Sequence, residues 1–194
     1  RVFVSVLVLT LSLQSFAKAD DIREFEIAGM SIGDSLLDYF SEEEIKISIH
    51  DKLTYPASDK FFSIDPIMPY EDYDNIVFHI KKNDKKYKIY SLKGWINYNN
   101  KINECFNKKE KILNEISPVL KNLKEDTYTN NFGGNAGKSI AYISDFDLDN
   151  GSLRVWCSEW DKEHELSKNF KDSLNVGVSF KEFLNWLNKE AYNQ

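Results

Sequence analysis

The sequence predicts an α+β domain, an antiparallel sheet built from hairpins with helices packed on it. Three observations carry this. Two pairs of strand-like segments are joined by short polar turns, which is the mark of hairpins. Single strands do not alternate with helices, so the pattern of a parallel sheet is missing. Of 194 residues, 42% are hydrophobic and 14% aromatic, enough for one core and one domain.

The elements follow in order. Residues 1–19 read as a secretory signal peptide. The run 2–13 is almost wholly apolar but short of the ~20 residues that a membrane span needs. Ala17 and Ala19 supply the small-x-small pattern of signal peptidase, so cleavage is expected before Asp20. Residues 20–194 then form the single α+β domain, not membrane-spanning after cleavage.

Residues 25–30 (FEIAGM) suggest a short strand. Asp34 is placed to cap a helix carrying Leu36, Leu37 and Phe40, and Ser41 with Glu44 makes a capping box. Residues 60–64 read as a strand. Residues 75–82 and 86–98 form a hairpin turning at Asn83-Asp84, with a bulge at Gly94. Residues 101–117 are the main helix, with Ile102, Cys105, Phe106, Leu113, Ile116 and Leu120 at helical spacing, ended by Pro118. Residues 127–137 (TYTNNFGGNAG) read as a loop. A second hairpin joins 138–148 to 153–160 through Asn150-Gly151. Residues 173–178 are the last strand. Ser179 and Glu182 are expected to cap a final helix bearing Phe180, Phe183, Leu184 and Leu187.

Export places the chain, periplasmic or secreted, in an oxidising compartment, so Cys105 and Cys157 are expected to form a disulfide. The net charge of −6 gives no basic field for nucleic acid. The three histidines, His50, His79 and His164, have no mutual ligand spacing. With both cysteines oxidised, no metal site and no cofactor are expected. Asp145, Asp147 and Asp149 begin like a calcium loop, but loop positions 6 and 12 hold Asn150 and Trp156 rather than Gly and Glu.

One motif raises catalysis. Gly33-Asp34-Ser35-Leu36 resembles the nucleophile block of the GDSL, or SGNH, serine hydrolases. That resemblance implies Ser35 as nucleophile, Asn135 in the oxyanion hole, and Asp161 and His164 from the D-x-x-H block. The context departs from it. The family is doubly wound α/β, whereas here only a hairpin's length of chain separates Asn135 from His164. A capped helix start accounts for the tetrapeptide.

Lys81, Lys82, Lys85, Lys86 and Lys88 crowd one hairpin tip. They suit an anionic surface, or they guard a sheet edge; edge protection is the simpler reading. Of Trp95, Trp156, Trp160 and Trp186, most are expected in the core, with Trp160 the best ligand platform.

The phrase DDIREFEIAGMSIGDSLLDYFSEEEIK, with INECFNKKEKI, VWCSEW and VGVSFKEFLNWLNKEAY, resembles a group of small, exported, uncharacterised bacterial proteins. The resemblance implies the same fold and export, and no activity. The expected function is a non-catalytic binding or interaction module of the cell envelope, with an envelope component as partner. The alternatives are the serine esterase and a structural envelope protein.

Overall fold

The computed structural model describes residues 21–49, 55–66, 69–120, 123–132 and 136–192, leaving aside the side chains of residues 164, 167 and 168. The expected leader at 1–19, His50 and Asn135 lie outside the described residues, as does the His164 side chain.

The fold is α+β. A small hairpin, β1 (Glu26–Ile27) and β2 (Met30–Ser31), precedes a seven-stranded sheet. Its strands are β3 (Phe61–Ile64), β4 (Asn75–Lys81), β5 (Ile89–Asn97), β6 (Glu125–Asn131), β7 (Ile140–Leu148), β8 (Gly151–Glu159) and β9 (Ser173–Phe180). The spatial order is β3-β4-β5-β9-β8-β7-β6, and every neighbouring pair is antiparallel. The last strand in the chain thus lies between the two hairpins and joins them.

Alternation along the strands separates two faces. On the core face, Ile76 and Phe78 of β4, Leu92 of β5, Val176 and Val178 of β9, and Leu153 and Val155 of β8 are all buried. Each side chain of this size contributes roughly 1.5–3 kcal/mol on burial. Helix α2 (Ile102–Ile116) covers this face with Cys105, Lys109, Ile112 and Ile116, spaced four, three and four apart. Cys105 and Cys157 of β8 are joined as a disulfide with Cα atoms 6.0 Å apart, both fully buried. Lys109 was not foreseen on the buried stripe. Its stem lies along the helix–sheet contact and its Nζ donates to the Tyr142 carbonyl oxygen at 3.0 Å.

The opposite face is covered at one flank by α4 (Lys181–Lys189), which leaves β9 directly. Phe183 and Trp186 of α4 pack with Phe61 and Tyr55. Trp186 is buried and its Nε1 donates to Ser58 Oγ at 2.8 Å.

The ladder moves several expected boundaries. Residues 25–30 make a hairpin, because Ala28 (φ 52°) and Gly29 (φ 74°) turn the chain. The 3-10 turn Leu36–Asp38 is capped by Ser35, not Asp34. The Asp34 carboxylate instead turns back, accepting from Ser31 N at 2.9 Å and from the Tyr39 hydroxyl at 2.7 Å. The Ser41–Glu44 capping box opens α1 (Glu42–Ile47) as expected.

The β4–β5 connection is wider than Asn83-Asp84. Asp84 accepts from Lys86 N and Lys88 N, and β5 begins only at Ile89. The bulge falls between His79 and Ile80, opposite Tyr90, while Gly94 sits in regular register. A Cβ at Gly94 would meet the Tyr73 ring at 2.6 Å. In the second hairpin Leu148 pairs with Gly151, so the turn is Asp149-Asn150, one residue earlier than its Asn-Gly pair suggests. Gly151 is needed in the strand, where a Cβ would lie 2.5 Å from the Ser179 carbonyl oxygen.

Residues 125–131 are strand β6 and not a loop. All seven are exposed, so no apolar alternation marks them; the ladder to β7 alone makes the strand. Phe180, not Ser179, stands at the N-cap of α4, because the Ser179 hydroxyl is bonded to that of Ser91 at 2.7 Å.

Candidate functional site

Of the expected serine-hydrolase residues, Ser35 and Asp161 are described with their side chains, and they cap different elements. The Ser35 hydroxyl donates to the Lys86 carbonyl oxygen at 2.6 Å and accepts from Leu37 N at 3.2 Å. Around it, Gly33 N donates to Ile89 O, Ile89 N to Asp34 O, and Leu36 N to Tyr87 O. The tetrapeptide is therefore stitched as an extra strand segment onto the start of β5. Ser35 bridges Lys88 there.

Position 164 belongs to α3 (Lys162–Lys168), which follows β8. Strands β5 and β8 run in the same direction on either side of β9. Ser91, Ser179 and Ser152 form one row across them; Asn97, Ser173 and Ser158 form another. Ser35 lies beyond the first row and α3 beyond the second. The span between the rows, 91 to 97, is about 20 Å of strand. Asp161 is the N-cap of α3, accepting from Glu163 N at 3.0 Å and from Lys138 N at 3.2 Å.

The lysine hairpin does not guard an edge. Strands β4 and β5 are interior to the sheet, flanked by β3 and β9. Lys81 pairs with Glu182, and Lys82 with Asp59. Lys88 lies over the rings of Tyr90 and Phe180 at 5.3 and 5.1 Å. Lys85 and Lys86 remain exposed at the tip.

The site with the most chemistry is the face opposite the core, over the three central strands. Directly opposed residues share a face. Trp95, Asn175 and Trp156 form one row across β5, β9 and β8. The next row is Lys93, Gly177 and Arg154. The two tryptophans flank the asparagine, about 10 Å apart at the backbone. Both are half-buried, whereas Asn175 beneath them is buried. Trp186 is thus the one tryptophan in the core, and the other three are half-buried. The strand spacing of Trp95 and Trp156 resembles that of core residues, but the register places both on the opposite side.

Each member of the two rows is held. Asn175 Nδ2 donates to Ser173 Oγ at 3.1 Å and to Ser158 Oγ at 3.4 Å, which fixes its amide plane. The Trp156 indole lies over Gly177, where a Cβ would be in van der Waals contact with Trp156 Cζ3 at 3.4 Å. Lys93 Nζ stands over the Trp95 ring at 5.1 Å. Burial holds its pKa below the ordinary lysine value, partly offset by the Asp65 carboxylate. Arg154 is paired with Asp145, which also accepts from Ser152 Oγ at 2.6 Å. Asp145 is therefore committed to the sheet surface; Asp147 faces Lys181 at 3.5 Å.

Trp160 is not an open platform. Phe132 stacks on one side at 4.7 Å and 12°, and Phe170 on the other at 4.3 Å and 22°. Both of its ring faces are taken.

His79 lies on the same sheet face, under α4. Its Nε2 is 2.8 Å from the Tyr55 hydroxyl, and its ring is tilted against Phe183 at 4.6 Å. Among the described residues, His79 Nδ1 and the cross-strand Ser63 Oγ are buried without a hydrogen-bond partner. Burial, and secondarily the charge of Lys93, lowers the His79 pKa to about 3. Among the described residues no group of three or more acidic, histidine or cysteine side chains is placed to hold a metal ion.

Comparison with protein-family models, with curated proteins and with solved structures gives no match.

Proposed function

We propose that the chain is an exported, non-catalytic binding domain of the cell envelope, and that its ligand lies across Trp95, Asn175 and Trp156. The observation that carries this is the row itself. Two half-buried indoles flank a buried, oriented amide, with Lys93 and Arg154 in the next row. Indole faces take up the apolar faces of ring compounds, and the amide and cations select hydroxyl and acidic groups beside them. This composition suits an anionic glycan of the envelope better than a purely apolar ligand. The buried disulfide fits an oxidising compartment, and among the described residues no helix is long and apolar enough to cross a membrane.

The test is titration of intrinsic tryptophan fluorescence with purified acidic envelope oligosaccharides, on the wild type and on Trp95→Ala and Trp156→Ala. The reading expects saturable binding, lost in both variants while the thermal midpoint stays near that of the wild type. Binding that survives both substitutions, or no saturable binding at all, removes it.

A further inference from the structure

The two edges of the sheet differ. Strand β3 is four residues long, and its outer side is engaged: Ile49 bridges Ile64, and Asp65 N donates to Ser48 O at 3.0 Å. Strand β6 runs for seven residues, all exposed, in unbroken register with β7. It contains no proline, lysine or bulge, three of the devices that blunt an edge, and its two charges, Glu125 and Asp126, are confined to its first two positions. Such an edge is a template for a further strand.

The ladder fixes which backbone groups of β6 point away from β7. Phe132 N donates to Ser139 O at 3.2 Å, one step beyond the Asn131–Ile140 pair. In an antiparallel ladder, residues that bond inward alternate with residues that do not. Asn130, Tyr128 and Asp126 therefore turn their N–H and C=O groups toward β7. Glu125, Thr127, Thr129 and Asn131 turn theirs outward.

The strand reads Glu-Asp-Thr-Tyr-Thr-Asn-Asn, complementary to itself about its centre. We propose that a second copy of the chain pairs with it antiparallel, centred on Tyr128, to give a two-fold dimer with one continuous sheet. Thr127 then faces Thr129 of the partner subunit, and Glu125 faces Asn131 of the partner subunit. Every outward-facing residue meets another. A slip of one residue would set outward against inward groups and form no bonds. A slip of two would leave Glu125 or Asn131 without a counterpart. In the central register both acids face amides: Asp126 faces Asn130 of the partner subunit. Like charges directly opposed, which destabilise a pair, are avoided. The two Tyr128 residues meet at a non-hydrogen-bonded position, where Cα atoms approach to about 4.5 Å. Strand pairing alone buries little apolar area, so the dimer is concentration-dependent.

Sedimentation equilibrium of the mature chain, from low micromolar to near-millimolar concentration, tests this. The weight-average mass should rise from one chain toward two. Thr129→Pro removes only an outward N–H, which an edge position tolerates. It should keep the wild-type melting curve and stay monomeric throughout. Tyr128→Cys gives a second readout, because Cys105 and Cys157 are bonded to each other. On oxidation it should cross-link completely, whereas Asn107→Cys, on an exposed position of α2, should not. A constant one-chain mass, a dimer that persists in Thr129→Pro, or equal cross-linking of the two cysteine variants overturns the proposal. So does a β6 edge that takes up a strand of another protein while the chain alone stays monomeric.

Discussion

Ser35 and Lys86, 51 positions apart, are joined by the 2.6 Å bond from the serine hydroxyl to the lysine carbonyl oxygen. The same hydroxyl caps the 3-10 turn through Leu37 N. It ties the segment after β2 to the β4–β5 connection.

Ser35→Ala should therefore cost about 1 kcal/mol, the usual scale for a lost N-cap. That corresponds to a fall of about 2–4 °C in the thermal midpoint for a domain of this size. A fluorophosphonate probe should leave Ser35 unlabelled, since the hydroxyl is held by backbone groups and α3 lies at the other end of the strands. An unchanged midpoint in Ser35→Ala would remove the cap role. Labelling at Ser35 that disappears in His164→Ala would restore the hydrolase.

His79 gives the chain an acid sensitivity of known sign. Unfolded, the imidazole takes up a proton as pH falls through about 6.5; folded, burial delays this to about 3. Unfolding thus binds an extra proton inside that window. The stabilisation is full above the window and is lost as pH falls through it. Urea denaturation at a series of pH values should show His79→Phe losing stability less steeply between about pH 6.5 and 4 than the wild type does. Parallel curves for the two proteins would mean that His79 does not titrate differently in the folded state.

These two residues also show what the sequence made legible. Both main hairpins, α2, the capping box at Ser41 and the cysteine pair could be read, because each rests on local spacing or a short turn. The Ser35 cap could not be separated from an Asp34 cap, since both residue types suit it and a distant carbonyl decides. Strand β6 carries no apolar alternation, so only its partner reveals it. The Trp95–Asn175–Trp156 row needs the insertion of β9 between β5 and β8. Tryptophan spacing along single strands was visible, but a register across three strands is a tertiary fact.

Gly94 predicts a steric coupling. Its missing Cβ makes room for the buried Tyr73 ring, which would otherwise lie 2.6 Å away. Gly94→Ala should cost about 1–3 kcal/mol through overpacking. Because the clash is with a single ring, Gly94→Ala combined with Tyr73→Ser should cost less than the sum of the two single changes. A double-mutant cycle by chemical denaturation measures this, and additive effects would place the strain elsewhere.

The disulfide should account for a large share of stability. Cys105 on α2 and Cys157 on β8 are 52 positions apart, and both are fully buried on the core face. Closing a loop of that length restricts the unfolded chain by about 4 kcal/mol in the chain-entropy model. Cys157 also pairs with Leu174 of β9, the strand that joins the two hairpins. The bridge therefore holds the covering helix to the junction of the sheet. The double substitution Cys105→Ala with Cys157→Ala should lower the unfolding free energy by about 4 kcal/mol. Because neither sulfur reaches solvent in the folded state, reduction of the wild type should follow local or global opening. Its rate with dithiothreitol should rise steeply on adding sub-denaturing urea. Rapid reduction in buffer alone, at a rate indifferent to urea, would show the bridge to be open to solvent and would contradict its buried placement.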